Sequence, residues 1–82
     1  MSEMALRIGR QRIALGGGLR LVECRDRELW LEGGLRLRPG QVVSLAGHWP
    51  TGLSGEARVT SWRLVSVGRS GPVYRGCCQL VA

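Results

Sequence analysis

Arginine is the residue type with the greatest chemical capacity in this sequence, because all twelve basic residues are arginine and the formal net charge is +6. Three of them, Arg7, Arg10 and Arg12, lie close together near the N-terminus. The planar guanidinium group suits phosphate and carboxylate, so these residues form a candidate site for an anionic ligand. If the segment is extended, Arg10 and Arg12 share one face. The alternative is an edge strand whose charges discourage pairing with other chains.

A second candidate site lies in the segment "GHWP", which contains the only histidine. His48 and Trp49 open a stretch rich in Pro, Gly and Ser, which predicts a loop over 48–55. An exposed tryptophan in a loop is a typical interface anchor, so His48 and Trp49 are candidate interaction residues. His48 has no sequence neighbour that would make it a general base.

Catalysis and metal binding have little support in the sequence. The carboxylates between residues 23 and 32 are interspersed with Arg25 and Arg27, as expected for cross-strand charge pairs. Cys24, Cys77 and Cys78 form no Cys-x-x-Cys pair, and Cys77 and Cys78 are explained as small buried hydrophobes. We therefore predict a protein that is not an enzyme, with no cofactor and no metal site.

Two glycine-rich stretches resemble each other, "LGGGLRL" at 15–21 and "LEGGLRL" at 31–37. A phosphate-binding glycine loop leads into a helix N-terminus, but each of these leads into an alternating Leu-Arg-Leu segment that is typical of a strand. The residues that follow the two copies differ, which disfavours an internal repeat. The pattern predicts two tight turns of similar chemistry, each feeding a strand.

Short apolar stretches separated by turn residues predict six or seven strands. The segment "LRLR" at 35–38 is predicted as an amphipathic strand that turns Arg36 and Arg38 to solvent. The two longest strands lie at the C-terminal end and form a hairpin around "GRSGP" at 68–72. Because the chain is short, the pattern favours a small antiparallel β-barrel, closed or half-closed, over a sandwich.

The chain is predicted to be a single domain over residues 1–82, with residues 1–5 frayed. It contains no apolar run of the length that a membrane helix needs, and its N-terminus lacks the apolar core of a signal peptide. We expect a cytoplasmic protein with no membrane partner.

The segment "LWLEGGLRLRPGQVVSLAG", followed by "EARVTSWRL" at 56–64 and "VYRGCCQLV" at 73–81, resembles a PilZ domain. PilZ domains are small bacterial β-barrels best known for sensing cyclic di-GMP. The resemblance covers residues from about 28 to 81 and lies in the order and spacing of the elements. It implies a cytoplasmic signalling domain of bacterial origin.

The sequence departs from this family at both ligand motifs. The family's Arg-x-x-x-Arg pair is missing, since no two arginines lie four residues apart. Aligning Gly34 with the glycine of the second motif puts Leu29 and Leu31 where that motif has polar residues. The resemblance therefore implies a degenerate member, an adaptor that binds another protein and does not bind cyclic di-GMP in the usual way.

Three alternatives remain at this point. One is cyclic di-GMP binding through the rearranged set Arg7, Arg10 and Arg12. Another is a basic small barrel that binds nucleic acid, although Trp62-Arg63 and Tyr74-Arg75 are sequence neighbours and so face opposite sides of their strands. The third is a homodimer formed by exposed strand edges.

Overall fold

The computed structural model describes residues 3–16 and 18–81, and nearly all of its regular structure is β-strand. A single turn of 3-10 helix at Pro50–Gly52 interrupts the strands. The all-β class and a count of seven strands are confirmed. In chain order the strands are β1 Ala5–Ile8, β2 Gln11–Ala14, β3 Leu19–Arg25, β4 Glu28–Gly33, β5 Val42–Ala46, β6 Gly55–Gly68 and β7 Gly71–Leu80.

The seven strands form one antiparallel sheet in the order β2-β1-β5-β6-β7-β4-β3. The sheet surrounds one core, because buried side chains from β1 and β5 belong to the same cluster as those from β3 and β4. The outermost strands β2 and β3 do not pair with each other in the described residues, so strand pairing leaves the sheet open. Of the two predicted forms, closed and half-closed, the closed barrel is therefore not observed.

Met4 and Ala5 are held in the fold, although both fall within the segment 1–5 that is predicted to be frayed. Residues 1 and 2 lie outside the described residues, but Ala5 begins β1 and is fully buried. The amide of Leu15 donates a hydrogen bond to the Met4 carbonyl at 2.9 Å. From Ala5 onward the backbone is held on both sides, because β1 pairs with β2 on one side and β5 on the other.

The predicted strand over 35–38 is wrong, since residues 34–41 run between β4 and β5 without strand pairing. The alternation is real, because Leu37 is buried while Arg36 and Arg38 are exposed. A segment that buries one side against the core shows this alternation of apolar and charged residues even when it pairs with no neighbouring strand. We call residues 34–41 the crossing segment.

The two glycine-rich stretches meet in space. Leu19 pairs with Gly33 across β3 and β4, and the Gly34 amide donates to the Gly18 carbonyl at 2.8 Å. Gly17 lies outside the described residues. The similar sequences thus form the two sides of one close backbone contact, where β3 begins and β4 ends. The second stretch does not feed a strand as predicted, because the chain bends at Gly34 and enters the crossing segment.

The C-terminal hairpin is confirmed, with Gly68 paired to Gly71 across its turn. Its far end extends beyond the sheet, because β4 pairs with β7 only as far as Tyr74 and β5 pairs with β6 only as far as Arg58. We call the projecting two-stranded part, residues 64–73, the distal ribbon. Within the described residues, no helix has the length and apolar character that crossing a membrane requires.

Candidate binding surface

The distal ribbon exposes large apolar side chains to solvent. Leu64 is 52% exposed, Val65 46% and Val67 71%. These residues lie outside the core because the ribbon has no third strand and no core beneath it. Leu64 and Val67 share one face of the ribbon, whereas Val65, at a register shift, lines a pocket on the other face. Exposed apolar side chains on a projecting hairpin make it a candidate interaction surface.

An open groove of about 850 Å³ lies between the crossing segment and the β6–β7 hairpin, at the base of the distal ribbon. Leu64 and Tyr74 are directly opposed across β6 and β7, so their side chains share one face of the hairpin. The wall of the groove that faces them carries two exposed arginines. We call this feature the ribbon groove, and its lining residues are Arg36, Leu37, Arg38, Pro39, Trp62, Leu64 and Tyr74.

Trp62 fixes the position of the crossing segment against the hairpin. Its indole Nε1–H donates a hydrogen bond to the Leu35 carbonyl oxygen at 3.0 Å. This hydrogen bond takes the place of the one that the Leu35 carbonyl would accept from a neighbouring strand. Gly76 lies opposite Trp62 on β7, and a Cβ atom there would meet the indole carbon Cε3. The absence of a side chain at Gly76 therefore lets the half-buried indole lie flat on β7.

The arginines of the ribbon groove have no carboxylate partner within the described residues. The two ion pairs among the described residues both involve Glu32. Its two carboxylate oxygens accept hydrogen bonds from the guanidinium groups of Arg20 at 2.7 Å and Arg75 at 2.9 Å. Arg36 and Arg38 belong to neither pair, so the wall of the ribbon groove carries two uncompensated positive charges. Positive charge beside exposed apolar surface suits a ligand that is both acidic and apolar.

The Glu32 pairs should make stability depend on pH. The hydrogen bond from Arg20, together with the charges of Arg20 and Arg75, holds the pKa of Glu32 below its ordinary value of 4.5. A depressed folded-state pKa stabilises the fold above the unfolded pKa, and this contribution is lost as pH falls through the folded pKa. We expect Glu32→Gln to be less stable than wild type at neutral pH, with the difference shrinking below about pH 4.5.

Urea unfolding of wild type and Glu32→Gln between about pH 2.5 and 7 measures this difference. Glu56→Gln serves as the control, because Glu56 forms no ion pair among the described residues. A wild-type to Glu32→Gln difference that stays constant down to the acid end of the range would contradict the assignment.

The three N-terminal arginines do not join the ribbon groove. The two-residue loop Gly9-Arg10 folds β1 back on β2, so that Arg7 is directly opposite Arg12 and Arg10 lies in the turn. The expected shared face of Arg10 and Arg12 is therefore wrong, and the arginine that faces the same side as Arg12 is Arg7. All three side chains are exposed.

The pair His48 and Trp49 is divided by the structure. His48 is exposed, but Trp49 is only 5% exposed and belongs to the core. The Trp49 Nε1–H is shared between the carbonyl oxygens of Ala46 at 2.9 Å and Ala5 at 3.2 Å. Trp49 therefore ties its loop to the core, and its side chain is not accessible as an interface anchor.

Leu29 and Leu31 occupy the core face of β4 and are fully buried. A ligand cannot reach side chains at these two positions. The residues of β4 that face away from the core are Glu28, Trp30 and Glu32.

All three cysteines are free thiols, of which Cys77 and Cys78 are buried and Cys24 is half-buried. Cys78 packs in the core, and burial raises its pKa to about 12. Cys77 lies on the opposite face of β7, and burial raises its pKa as well. Neither thiol forms a reactive thiolate at neutral pH. Among residues 3–16 and 18–81, no three His, Cys, Asp or Glu side chains gather to hold a metal ion.

The ribbon groove could not be found from neighbouring sequence positions. Trp62 and Arg63, like Tyr74 and Arg75, do face opposite sides of their strands. The arginines that share a surface with these aromatic rings come instead from the crossing segment, at positions 36 and 38. Only the contact between two distant segments brings aromatic and basic groups together.

Comparisons with protein-family models, with curated proteins and with solved structures give no significant match to this chain. The chemistry of the surface is what points to function. An aromatic and apolar floor with a cationic wall can hold a ligand that combines apolar groups with negative charge.

Proposed function

We propose that this protein is a non-catalytic adaptor domain that binds another protein through the distal ribbon and the ribbon groove. The sequence resemblance to PilZ domains makes a bacterial, cytoplasmic signalling role the natural setting for such an adaptor. Leu29 and Leu31 are buried in the core, so these two positions cannot supply the polar contacts of the usual cyclic di-GMP site.

The exposed apolar cluster on the distal ribbon carries this proposal. A side chain such as Val67, at 71% exposure, contributes nothing to the core of an isolated chain. Burying apolar surface contributes roughly 25 cal/mol per Å² of area removed from water, so docking a partner here is favourable. The partner is expected to present apolar groups that meet Leu64 and Val67.

The surrounding charge defines the partner further. Arg36 and Arg38 line the groove, and Arg63 and Arg69 lie on or beside the distal ribbon. Acidic groups at the rim of a partner surface would speed association and set its orientation. An acidic and apolar protein surface is therefore the best chemical match.

A second candidate function, binding of single-stranded nucleic acid, is favoured by one observation. Trp62 and Tyr74 share the ribbon groove with Arg36 and Arg38, and nucleic-acid-binding barrels combine aromatic platforms with basic walls in this way. The indole of Trp62 is half-buried and hydrogen-bonded to Leu35, which limits the ring area open to a base. Protein binding therefore ranks first.

Two titrations separate these functions. Cyclic di-GMP and a mixed-sequence oligonucleotide are each added to the protein at about 50 mM and about 200 mM salt. We expect neither to bind with a dissociation constant below about 10 μM at the higher salt. Oligonucleotide binding that weakens steeply with salt would favour the second function. Tight cyclic di-GMP binding that is lost in Arg7→Ala/Arg12→Ala would instead restore nucleotide sensing through the N-terminal arginines.

A further inference from the structure

We propose that an extended acidic and apolar peptide segment of the partner adds to the sheet as an extra strand beside β6, at Ser61–Leu64. This inference rests on the proposed function and names the form in which the partner binds. Side chains on one face of the added strand would enter the ribbon groove.

The edge of β6 that faces away from β7 is unpaired over most of its length. On that side β5 pairs with Gly55–Arg58, and Val59 exchanges hydrogen bonds with Gly40 and Gln41 of the crossing segment. Beyond Val59, no backbone partner reaches this edge of β6 in the part of the chain that the structure describes. Unpaired N–H and C=O groups on a strand edge are a template for an added strand.

The regular part of this free edge is short and well defined. Register shifts at Thr60 and Val65 bound the stretch Ser61–Leu64, in which each residue pairs in simple register with β7. Four residues span about 13 Å at the rise of an antiparallel strand, which suits one short recognition segment. The free edges of β2 and β3 lack this setting, because no residue of either strand lines the ribbon groove.

The side chains around this edge set the chemistry of the added strand. Trp62 and Leu64 face the ribbon groove, so the strand's residues on that side are apolar, with a carboxylate where the strand passes Arg36 or Arg38. Arg63 points to the other face and attracts acidic residues there. A segment that alternates apolar and acidic residues satisfies both faces.

The probe for this proposal is a labelled octapeptide that alternates valine and glutamate. We expect it to bind the intact protein saturably and to slow hydrogen exchange of amides within Ser61–Leu64, as strand addition requires. Arg36→Glu/Arg38→Glu should weaken binding at least tenfold. The matched control is Arg25→Glu/Arg27→Glu, which has the same net charge but lies at the β3–β4 turn, and it should bind nearly as wild type.

Several outcomes would overturn the proposal. One is no binding, and another is binding without added protection at Ser61–Leu64. Equal binding of a valine–lysine octapeptide would overturn the charge assignment. Protection of these amides that grows with protein concentration in the absence of peptide would assign the edge to a second copy of the chain. Displacement of the peptide by an oligonucleotide that itself binds more tightly would assign the groove to nucleic acid.

Failure here is distinguishable from failure of the proposed function. A partner protein that cross-links to Val67 while the Ser61–Leu64 amides keep their exchange rates would leave the adaptor function standing. It would contradict the strand addition alone.

Discussion

Gly33→Ala is expected to lower the free energy of unfolding by about 3 kcal/mol, at the upper end of the usual range for overpacking. A Cβ atom at Gly33 would collide with the Gly18 carbonyl oxygen and would lie 2.7 Å from the Leu19 Cα atom. Both are backbone atoms held by the pairing of β3 with β4, so the contact cannot be relieved by a side-chain rotation. The hairpin itself must shift.

The neighbouring glycine supplies the control for this substitution. A Cβ atom at Gly34 would meet only the Pro72 carbonyl oxygen at 3.6 Å, which is ordinary van der Waals contact. In thermal unfolding, Gly33→Ala should lower the midpoint by about 15 °C or more, whereas Gly34→Ala should change it by only a few degrees. Equal midpoints for the two variants would contradict the close contact between the two glycine-rich stretches.

Leu64→Ser/Val67→Ser is expected to weaken binding of the partner protein by about 30-fold or more, the loss that follows from removing a hot spot of about 2 kcal/mol. Both side chains are more than half exposed, so their removal leaves the core intact. The yield of partner co-purified from cells with wild-type and variant protein measures the loss.

Val42→Ser is the matched control for the ribbon variant. Val42 is 41% exposed on β5, outside the distal ribbon. It should retain the partner as wild type does, and the melting temperatures of both variants should show that they are folded. Retention of the partner by Leu64→Ser/Val67→Ser would remove the distal ribbon from the interface.

Several features of the fold follow directly from sequence patterns. The alternation in "EARVTSWRLVSV" and "VYRGCCQLV" and the turn at "GRSGP" correctly predicted the β6–β7 hairpin, because strand period and turn chemistry are local properties. The turn at Gly9 is harder to predict, because Gly9 and its neighbours do not form a recognised turn dipeptide. The hairpin of β1 and β2 was therefore missed, and with it the pairing of Arg7 with Arg12.

The candidate site was less accessible to sequence reasoning. Burial of Trp49 depends on carbonyl groups of Ala5 and Ala46, of which Ala5 is distant in the chain. The ribbon groove requires the crossing segment to pass beside Trp62, 27 positions after Leu35. The exposed state of Leu64 and Val67 depends on where β4 and β5 end, which is a property of sheet register and not of local pattern.

Site-specific photo-cross-linking in the cells that make this protein tests its adaptor role most directly. A photoreactive amino acid replaces Val67 on the distal ribbon or, as the control, Val42 on β5. We predict a discrete cross-linked partner protein from position 67 that is absent from position 42 and is lost when Leu64 is replaced by serine. No cross-linked protein at position 67, or the same products from both positions, would contradict the proposal that the distal ribbon binds a partner.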